Sequence, residues 1–315
     1  MPKLQRDGFA LHYQVMGNGP TVVLLHGLTG NLAFWYPTIV ARLMADNQVI
    51  LVDLRGHGYS GMPPTGYTTS DLANDLEALL EHLGVEQAHL IGHSYGGAVA
   101  LNFTVLYPQR VTSVTLADSR IRSLQPVRGV RDSIHWQMLR ERIAELGISI
   151  NEDDEDLDFV LLERLARCRL EGRFENFAPP PFYVPFLSGN NRAAEQWLRL
   201  VRETTAIADF KAVSDLTPET IRTVSQPVLA IYGGLSHCMA TQHALTNILP
   251  DCTATIIEGV GHFHPLIRPE TFLDHVCLFL ARIDVRTSAD LTPEHDLYPL
   301  HARTESGSAL NNQVN

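Results

Sequence analysis

Cysteine is scarce in this chain, and long apolar runs and clusters of basic residues are missing from it. The four cysteines, Cys168, Cys238, Cys252 and Cys277, stand far apart and none belongs to a CxxC pair. Their spacing gives neither a zinc site nor a disulfide framework, so buried or neutral thiols in a reducing cytoplasm are the expectation. No apolar segment approaches the ~20 residues that span a bilayer. The opening MPKLQRDGFALHYQV has no run of the kind found in a secretory signal. With a formal net charge of -11 and no Lys/Arg-rich stretch, nucleic acid is not an expected partner. The acidic balance bears on solubility and steering rather than on fold.

What is present is an ordinary globular composition, 45% hydrophobic and 19% charged over 315 residues, enough for one large α/β domain with an insertion. Phe9 to Val15 has strand character and ends at Gly17-Asn18-Gly19-Pro20. Thr21 to Leu25 (TVVLL) and Val49 to Leu51 (VIL) are short runs with little or no polar content, as expected of strands buried on both faces, and Ala88 to Ile91 (AHLI) and Val111 to Leu116 (VTSVTL) predict a third and a fourth. A helix follows Ser70 as its N-cap, with Leu72, Leu76, Leu79 and Leu80 at helical spacing. Alternating strands and helices predict a mostly parallel sheet with right-handed crossovers.

From about Ser119 to Ser225 the strand rhythm stops, and IHWQMLRERIAEL and DLDFVLLERLARCRLE predict helices. Strands return at Val228 to Tyr232 and Thr253 to Ile257, and Val276 to Ile283 predicts a closing helix. The expected organisation is a core of residues 1–118 and 226–283, a helical cap of residues 119–225, and a disordered polar tail of residues 284–315. The acidic run Asn151 to Asp158 fails the calcium-loop template, because Phe159 stands where the loop needs glycine. It predicts a solvated helix start. Ala178 to Phe186 (APPPFYVPF) predicts either a substrate entrance or a stiff connector.

Chemistry is concentrated in four places. Gly92-His93-Ser94-Tyr95-Gly96 follows an apolar strand and precedes the helical run AVALNFTVLY. That is the context in which a G-x-S-x-G turn presents its serine outward near a helix N-terminus. His26-Gly27-Leu28 leaves the second buried strand, Asp53 to Ser60 (DLRGHGYS) follows the third, and Gly261-His262 follows the last. Fourteen histidines are present, and position after the last strand separates His262, with its imidazole suited to take and return a proton, from the rest. His264 is its nearest competitor.

On these four segments the chain resembles the α/β-hydrolase superfamily from about Phe9 to Ile283. The resemblance implies an eight-stranded, mostly parallel sheet flanked by helices with a helical cap, Ser94 as nucleophile and His262 as base. It also implies an oxyanion hole from the backbone N–H groups of Leu28 and Tyr95. His26 and His57 are expected to be structural. The superfamily usually carries its acid after the seventh strand, but Tyr232 to Cys238 (YGGLSHC) has Ser236 there and no Asp or Glu from Pro227 to Asn247. Asp118, ending the sixth strand, is the substitute acid, as in certain haloalkane dehalogenases. It can instead be a cap, leaving a dyad in which Ser236 or water orients His262. Trp35, Trp136, Phe182 and Tyr183 are candidate pocket residues.

The implied activity is hydrolysis of an ester, thioester or related acyl bond of a small molecule, without metal or organic cofactor. Epoxide hydrolases and dehalogenases of this fold use an Asp nucleophile, which Ser94 argues against. C–C bond hydrolysis, lyase chemistry and perhydrolysis share the serine elbow, and a non-catalytic binding protein on the same scaffold remains an alternative.

Overall fold

The apolar runs assemble into one sheet. In the computed structural model, which describes residues 2–36, 38–125, 134–149, 157–175, 177, 182–187 and 189–290, the strands are β1 (Lys3–Arg6), β2 (Phe9–Met16), β3 (Thr21–Leu25), β4 (Gln48–Val52), β5 (Ala88–His93), β6 (Val111–Ala117), β7 (Val228–Gly233) and β8 (Cys252–Ile257). Their order across the sheet is β1-β2-β4-β3-β5-β6-β7-β8. The pairs β1–β2 and β2–β4 are antiparallel, and all pairs from β4 to β8 are parallel. β1 was not foreseen, because KLQR has a single apolar residue and sits half-exposed at the sheet edge.

The period-two alternation of a strand divides the central residues between two cores. Val23, Leu25, Ile50, Val52 and Leu90 pack on one face, and Val22, Leu24, Val49, Leu51 and Ile91 on the other. This is why Val22 to Leu25 and Val49 to Val52 contain no polar residue. The helix Thr69–His82 starts two residues earlier than a cap at Ser70 predicts. Thr68 is its N-cap, accepting from the Asp71 N–H while the Asp71 carboxylate accepts from the Thr68 N–H. Ser70 lies inside the first turn and donates to Asp215 at 2.6 Å.

Between β6 and β7 run the helices Ile134–Glu145, Leu157–Leu170, Arg192–Glu203, Ala206–Phe210 and Pro218–Ile221. They form a third apolar cluster around Trp197, Leu165, Phe174 and Phe210, joined by Tyr67 from the loop after β4. The closing helix runs from Pro269 to Asp290, beyond Ile283, where the apolar pattern ends. No Gly or Pro interrupts the chain there until Pro293, so helix propagates past its packed part. Residues 291–315 of the expected tail, residues 151–156 of the acidic run and residues 178–181 of the proline-rich segment lie outside the described residues. Among the described residues no helix is long and apolar enough to cross a membrane.

Buried neutral histidines, His57 and His264 among them, set an acid limit on this fold. Burial, followed by the charge of His26, pushes the His57 imidazole down to about 3. Burial pushes His264 down to about 4. The unfolded chain binds protons on both near pH 6.5, where the folded chain does not. Stability is therefore present above about pH 6.5 and lost as the pH falls from there toward 4. Each should remove about 1.4 kcal/mol per pH unit in that window. Calorimetric melts from pH 7.5 to 4.5 should show a falling midpoint, with a shallower slope in His57→Asn and His264→Gln, which keep the donors to Arg55 O and Ile231 O. A flat midpoint across the window would contradict neutral burial.

Candidate active site

Ser94 stands at the break between β5 and the helix Tyr95–Leu106, with φ 54° and ψ −120°. Few side-chain-bearing residues tolerate a positive φ, and one that does must be held by its surroundings. A Cβ on Gly92 would lie 2.4 Å from the Gly96 carbonyl oxygen, and one on Gly96 would lie 2.3 Å from that of Leu25. Only glycines let the strand, the turn and the end of β3 approach this closely. The Ser94 N–H donates to Ala117 O at 3.0 Å, tying the turn to β6.

The loop after β8 brings His262 to this serine. Its Nε2 lies 3.0 Å from Ser94 Oγ, and its Nδ1 lies 2.8 Å from Asp118 Oδ1. His93, the residue before the serine, donates from Nε2 to the His262 carbonyl at 2.9 Å, and Phe34 stacks on its ring at 4.5 Å. His264 is fully buried and donates to Ile231 O at 3.2 Å, so it serves packing rather than the serine. His93 escaped the sequence reading because its task is a bond to backbone, which carries no residue-type pattern.

Asp118 follows β6 with φ 53° and has no exposed surface. Its N–H donates to Ile231 O at 2.9 Å. Oδ2 accepts the Gly233 N–H at 2.8 Å, and Oδ1 accepts both the His262 Nδ1–H and the Ser236 hydroxyl. Ser236 Oγ in turn accepts the Cys238 N–H at 3.0 Å, which directs its hydrogen to Asp118. The residue standing where an acid is usual thus binds the acid supplied by the neighbouring strand, and does not itself orient His262. Burial alone would push the Asp118 carboxyl up. The hydrogen bond and charge of His262, then His264 and the Gly233 N–H, reverse this and hold it well below the usual carboxylate range.

Leu28 and Tyr95 line the pocket beside Ser94. Tyr95 opens its helix, so its N–H has no intrahelical acceptor. The loop carrying Leu28 is braced from below. His26 donates from Nδ1 to Gly27 O at 2.8 Å and accepts the Leu54 N–H at Nε2, 3.1 Å away. Asp53 accepts the N–H groups of Leu32 and Tyr59 and meets His12 Nδ1 at 2.6 Å. His57 donates to Arg55 O. His26 and His57 are scaffold, as expected.

The cavity above Ser94 has a volume of about 280 Å³. Phe159, Leu161, Leu165, Phe182, Tyr183 and Phe210 give it mostly apolar walls, and the Tyr183 ring lies 4.4 Å from that of Phe263. Trp35 is not part of it. It is fully buried in the core on one face of the sheet, 6.4 Å from the Phe272 ring, because the short helix Leu32–Trp35 turns it inward. Trp136 belongs to the helix Ile134–Glu145, and its side chain lies outside the described residues. His237, Cys238 and His262 bring possible metal-ligand atoms within 4.8 Å of one another. Burial, then the Asp118 charge, pushes the Cys238 thiol well up, and His262 Nδ1 is engaged by Asp118, so this trio is a poor metal site.

Residues 20–269 match the alpha/beta hydrolase fold family. A 2-(acetamidomethylene)succinate hydrolase of Mesorhizobium japonicum is 27% identical over 86% of this chain and 91% of its own. An uncharacterized protein of Mycobacterium tuberculosis is 35% identical over 87% of this chain and 79% of its own. Among solved structures, the esterase RhEst1 of a Rhodococcus species superposes with a TM-score of 0.61 at 26% identity, covering 89% of this chain and 98% of that one.

Ser236→Ala removes a donor from a fully buried carboxylate. It should destabilise the protein by about 1.5–3 kcal/mol in urea unfolding at pH 7, with Ser236→Thr, which keeps the hydroxyl, recovering most of that loss. A change below about 0.5 kcal/mol would mean that Asp118 is held without this hydroxyl.

Proposed function

The chain belongs to the alpha/beta hydrolase family, and from that premise we propose that it is a serine hydrolase working through an acyl-enzyme. The observation that carries this reading is the relay of 2.8 Å and 3.0 Å contacts from Asp118 through His262 to Ser94, at the floor of an apolar cavity. Ser94 attacks the substrate carbonyl while His262 Nε2 takes its proton. The N–H groups of Leu28 and Tyr95 receive the charge that develops on the carbonyl oxygen. The protonated histidine then returns its proton to the leaving group, and water, activated by the same imidazole, releases the acyl group.

Asp118 fixes the tautomer of His262, with hydrogen on Nδ1 and the lone pair on Nε2, and stabilises the imidazolium that forms. Held below the usual carboxylate range, it stays ionised at any working pH. The pathway calls on no metal or organic cofactor. A cavity of this size with such walls suits an ester, thioester or related acyl bond of a small organic molecule. We assign the segment between β6 and β7, helices and connecting stretches together, as a cap that supplies about half of those walls.

Hydrolysis of p-nitrophenyl esters from acetate to decanoate, with fluorophosphonate labelling of Ser94, tests this reading. Ser94→Ala should abolish both. Asp118→Asn should lower kcat on the order of 10³–10⁴-fold with little change in KM. Wild-type protein that neither turns over an ester nor labels at Ser94 would sink the proposal and favour a binding protein. Full activity in Asp118→Asn would remove Asp118 from the relay.

A further inference from the structure

The cavity wall beside His262 carries an imidazole that the relay does not use. His237 lines the same cavity as Ser94 and His262, and its ring lies 4.8 Å from that of His262, tilted by 42°. His262 also touches the ring of His93, at 4.9 Å. That ring is buried and bonded to the His262 carbonyl, whereas His237 is half-buried and faces the cavity. Among the described residues the ring nitrogens of His237 are not hydrogen-bonded, and its one bond is through its carbonyl. Both nitrogens keep accessible surface, while His57, His93 and His264 each have a ring nitrogen sealed from solvent.

The backbone that carries this ring is pinned. The His237 carbonyl accepts the side-chain amide of buried Gln125. Gln125 Oε1 in turn accepts the Thr241 N–H at 3.2 Å and its hydroxyl at 2.7 Å. On either side of His237, Ser236 donates to Asp118, and the Cys238 N–H donates to Ser236 Oγ at 3.0 Å. The imidazole is therefore held in place before any ligand arrives, which lowers the ordering cost of binding. Burial, followed by the charge of His262, pushes it down to about 4. At neutral pH it is uncharged, with one N–H donor and one lone pair. Neighbouring polar wall groups are already engaged. Arg120 and Asp158 pair at 2.6 Å, and Thr69 accepts from Asn102 at 2.7 Å. A polar ring set unpartnered in a mostly apolar wall costs free energy that a hydrogen bond from a ligand recovers.

The chemistry at His262 decides which end of a substrate meets this ring. A leaving group collects its proton from His262 Nε2, so it is held against His262, and His237 is the cavity-facing imidazole packed there. We propose that His237 binds the leaving-group side of the substrate, hydrogen-bonding a hydroxyl or amide carried a few atoms beyond the scissile bond. This rests on the hydrolase reading above. It makes the preferred substrate an acyl derivative of a hydroxylated or amide-bearing alcohol or thiol rather than of a plain alkyl one.

The test compares esters that share one acyl group, the one best turned over in the p-nitrophenyl series. The 2-hydroxyethyl, 3-hydroxypropyl and 2-acetamidoethyl esters are paired with the propyl, butyl and 4-methylpentyl esters, in which apolar groups replace the polar ones, and kcat/KM is followed by pH-stat. At least one polar ester should lead its partner on the order of tenfold. His237→Phe should erase that lead while leaving the rate of Ser94 labelling by fluorophosphonate unchanged. His237→Gln, which keeps a donor and an acceptor, should retain part of the lead. If the phenyl ring disturbs His262, seen as lost labelling, His237→Leu carries the same comparison. A second pair, propyl 3-hydroxybutyrate and propyl 3-methylbutyrate, moves the hydroxyl to the acyl side, and its ratio should not respond to His237. Equal kcat/KM within every alcohol-side pair, or a lead that survives loss of the imidazole, overturns the proposal. So does an acyl-side preference that His237→Phe erases equally, or no turnover of any pair by protein that labels. Ser94 labelling is read separately, so each of these results with labelling intact leaves the hydrolase reading standing.

Discussion

The fully buried carboxylate of Asp118 is the constraint around which this end of the molecule is arranged. An ionised group with no solvent contact is tolerated only when its lone pairs are met by donors. Here the three donors come from two separate stretches: the Gly233 N–H at the end of β7 with the Ser236 hydroxyl just beyond it, and His262 on the loop after β8. Satisfying one charge therefore draws together the ends of β6, β7 and β8. The backbone reinforces the same convergence, with Asp118 N–H on Ile231 O and Ser94 N–H on Ala117 O. Ser94 and Asp118 both sit at positive φ, strain that such a fixed set of partners sustains. The alignment of His262 with Ser94 follows from the way the charge is held.

Neutrality of the surrounding imidazoles follows from burial too. His93 and His264 pack within reach of His262 or Asp118, and both are pushed down by desolvation before any other influence. Neither adds a positive charge beside His262 at neutral pH. Burial, together with bonds to the His262 and Ile231 carbonyls, turns two residues that look chemically competent in sequence into structural braces. Position in the hydrogen-bond network, not residue type, separates the one imidazole between Asp118 and Ser94 from the others.

The parts of this arrangement that were legible in sequence are those with a local steric or polarity demand. The central strands announce themselves because both faces are buried, so Val22 to Leu25 and Val49 to Val52 admit no polar residue. Gly92 and Gly96 announce the turn at Ser94 because backbone atoms occupy the space a Cβ would take. Asp118 was found through an absence, the lack of an acid after β7, together with its place on the neighbouring strand. Features that depend on distant partners were not legible. Trp35 looks the same whether it faces a cavity or the core. Thr68 and Ser70 are equally competent caps until Asp71 closes the box with Thr68. β1 has one apolar residue and is defined by its pairing with β2.

The same distinction divides the chemistry from the choice of substrate. Ser94, His262 and Asp118 sit at the carboxyl ends of the parallel strands, where the sheet register fixes their separations. About half of the cavity wall comes instead from the segment between β6 and β7, helices and connecting stretches together, whose side chains the sheet does not constrain. The two parts meet at Leu28 and Tyr95. Both pack their side chains against the apolar cluster of the inserted helices, and the Tyr95 ring lies edge-on to Phe210 at 5.0 Å while its hydroxyl donates to Tyr67 O. Their backbones belong to the loop after β3 and to the helix that Ser94 opens. The walls of the cavity and the two residues proposed for the oxyanion hole are therefore packed as one unit, so a shift of the inserted helices presses on Leu28 and Tyr95.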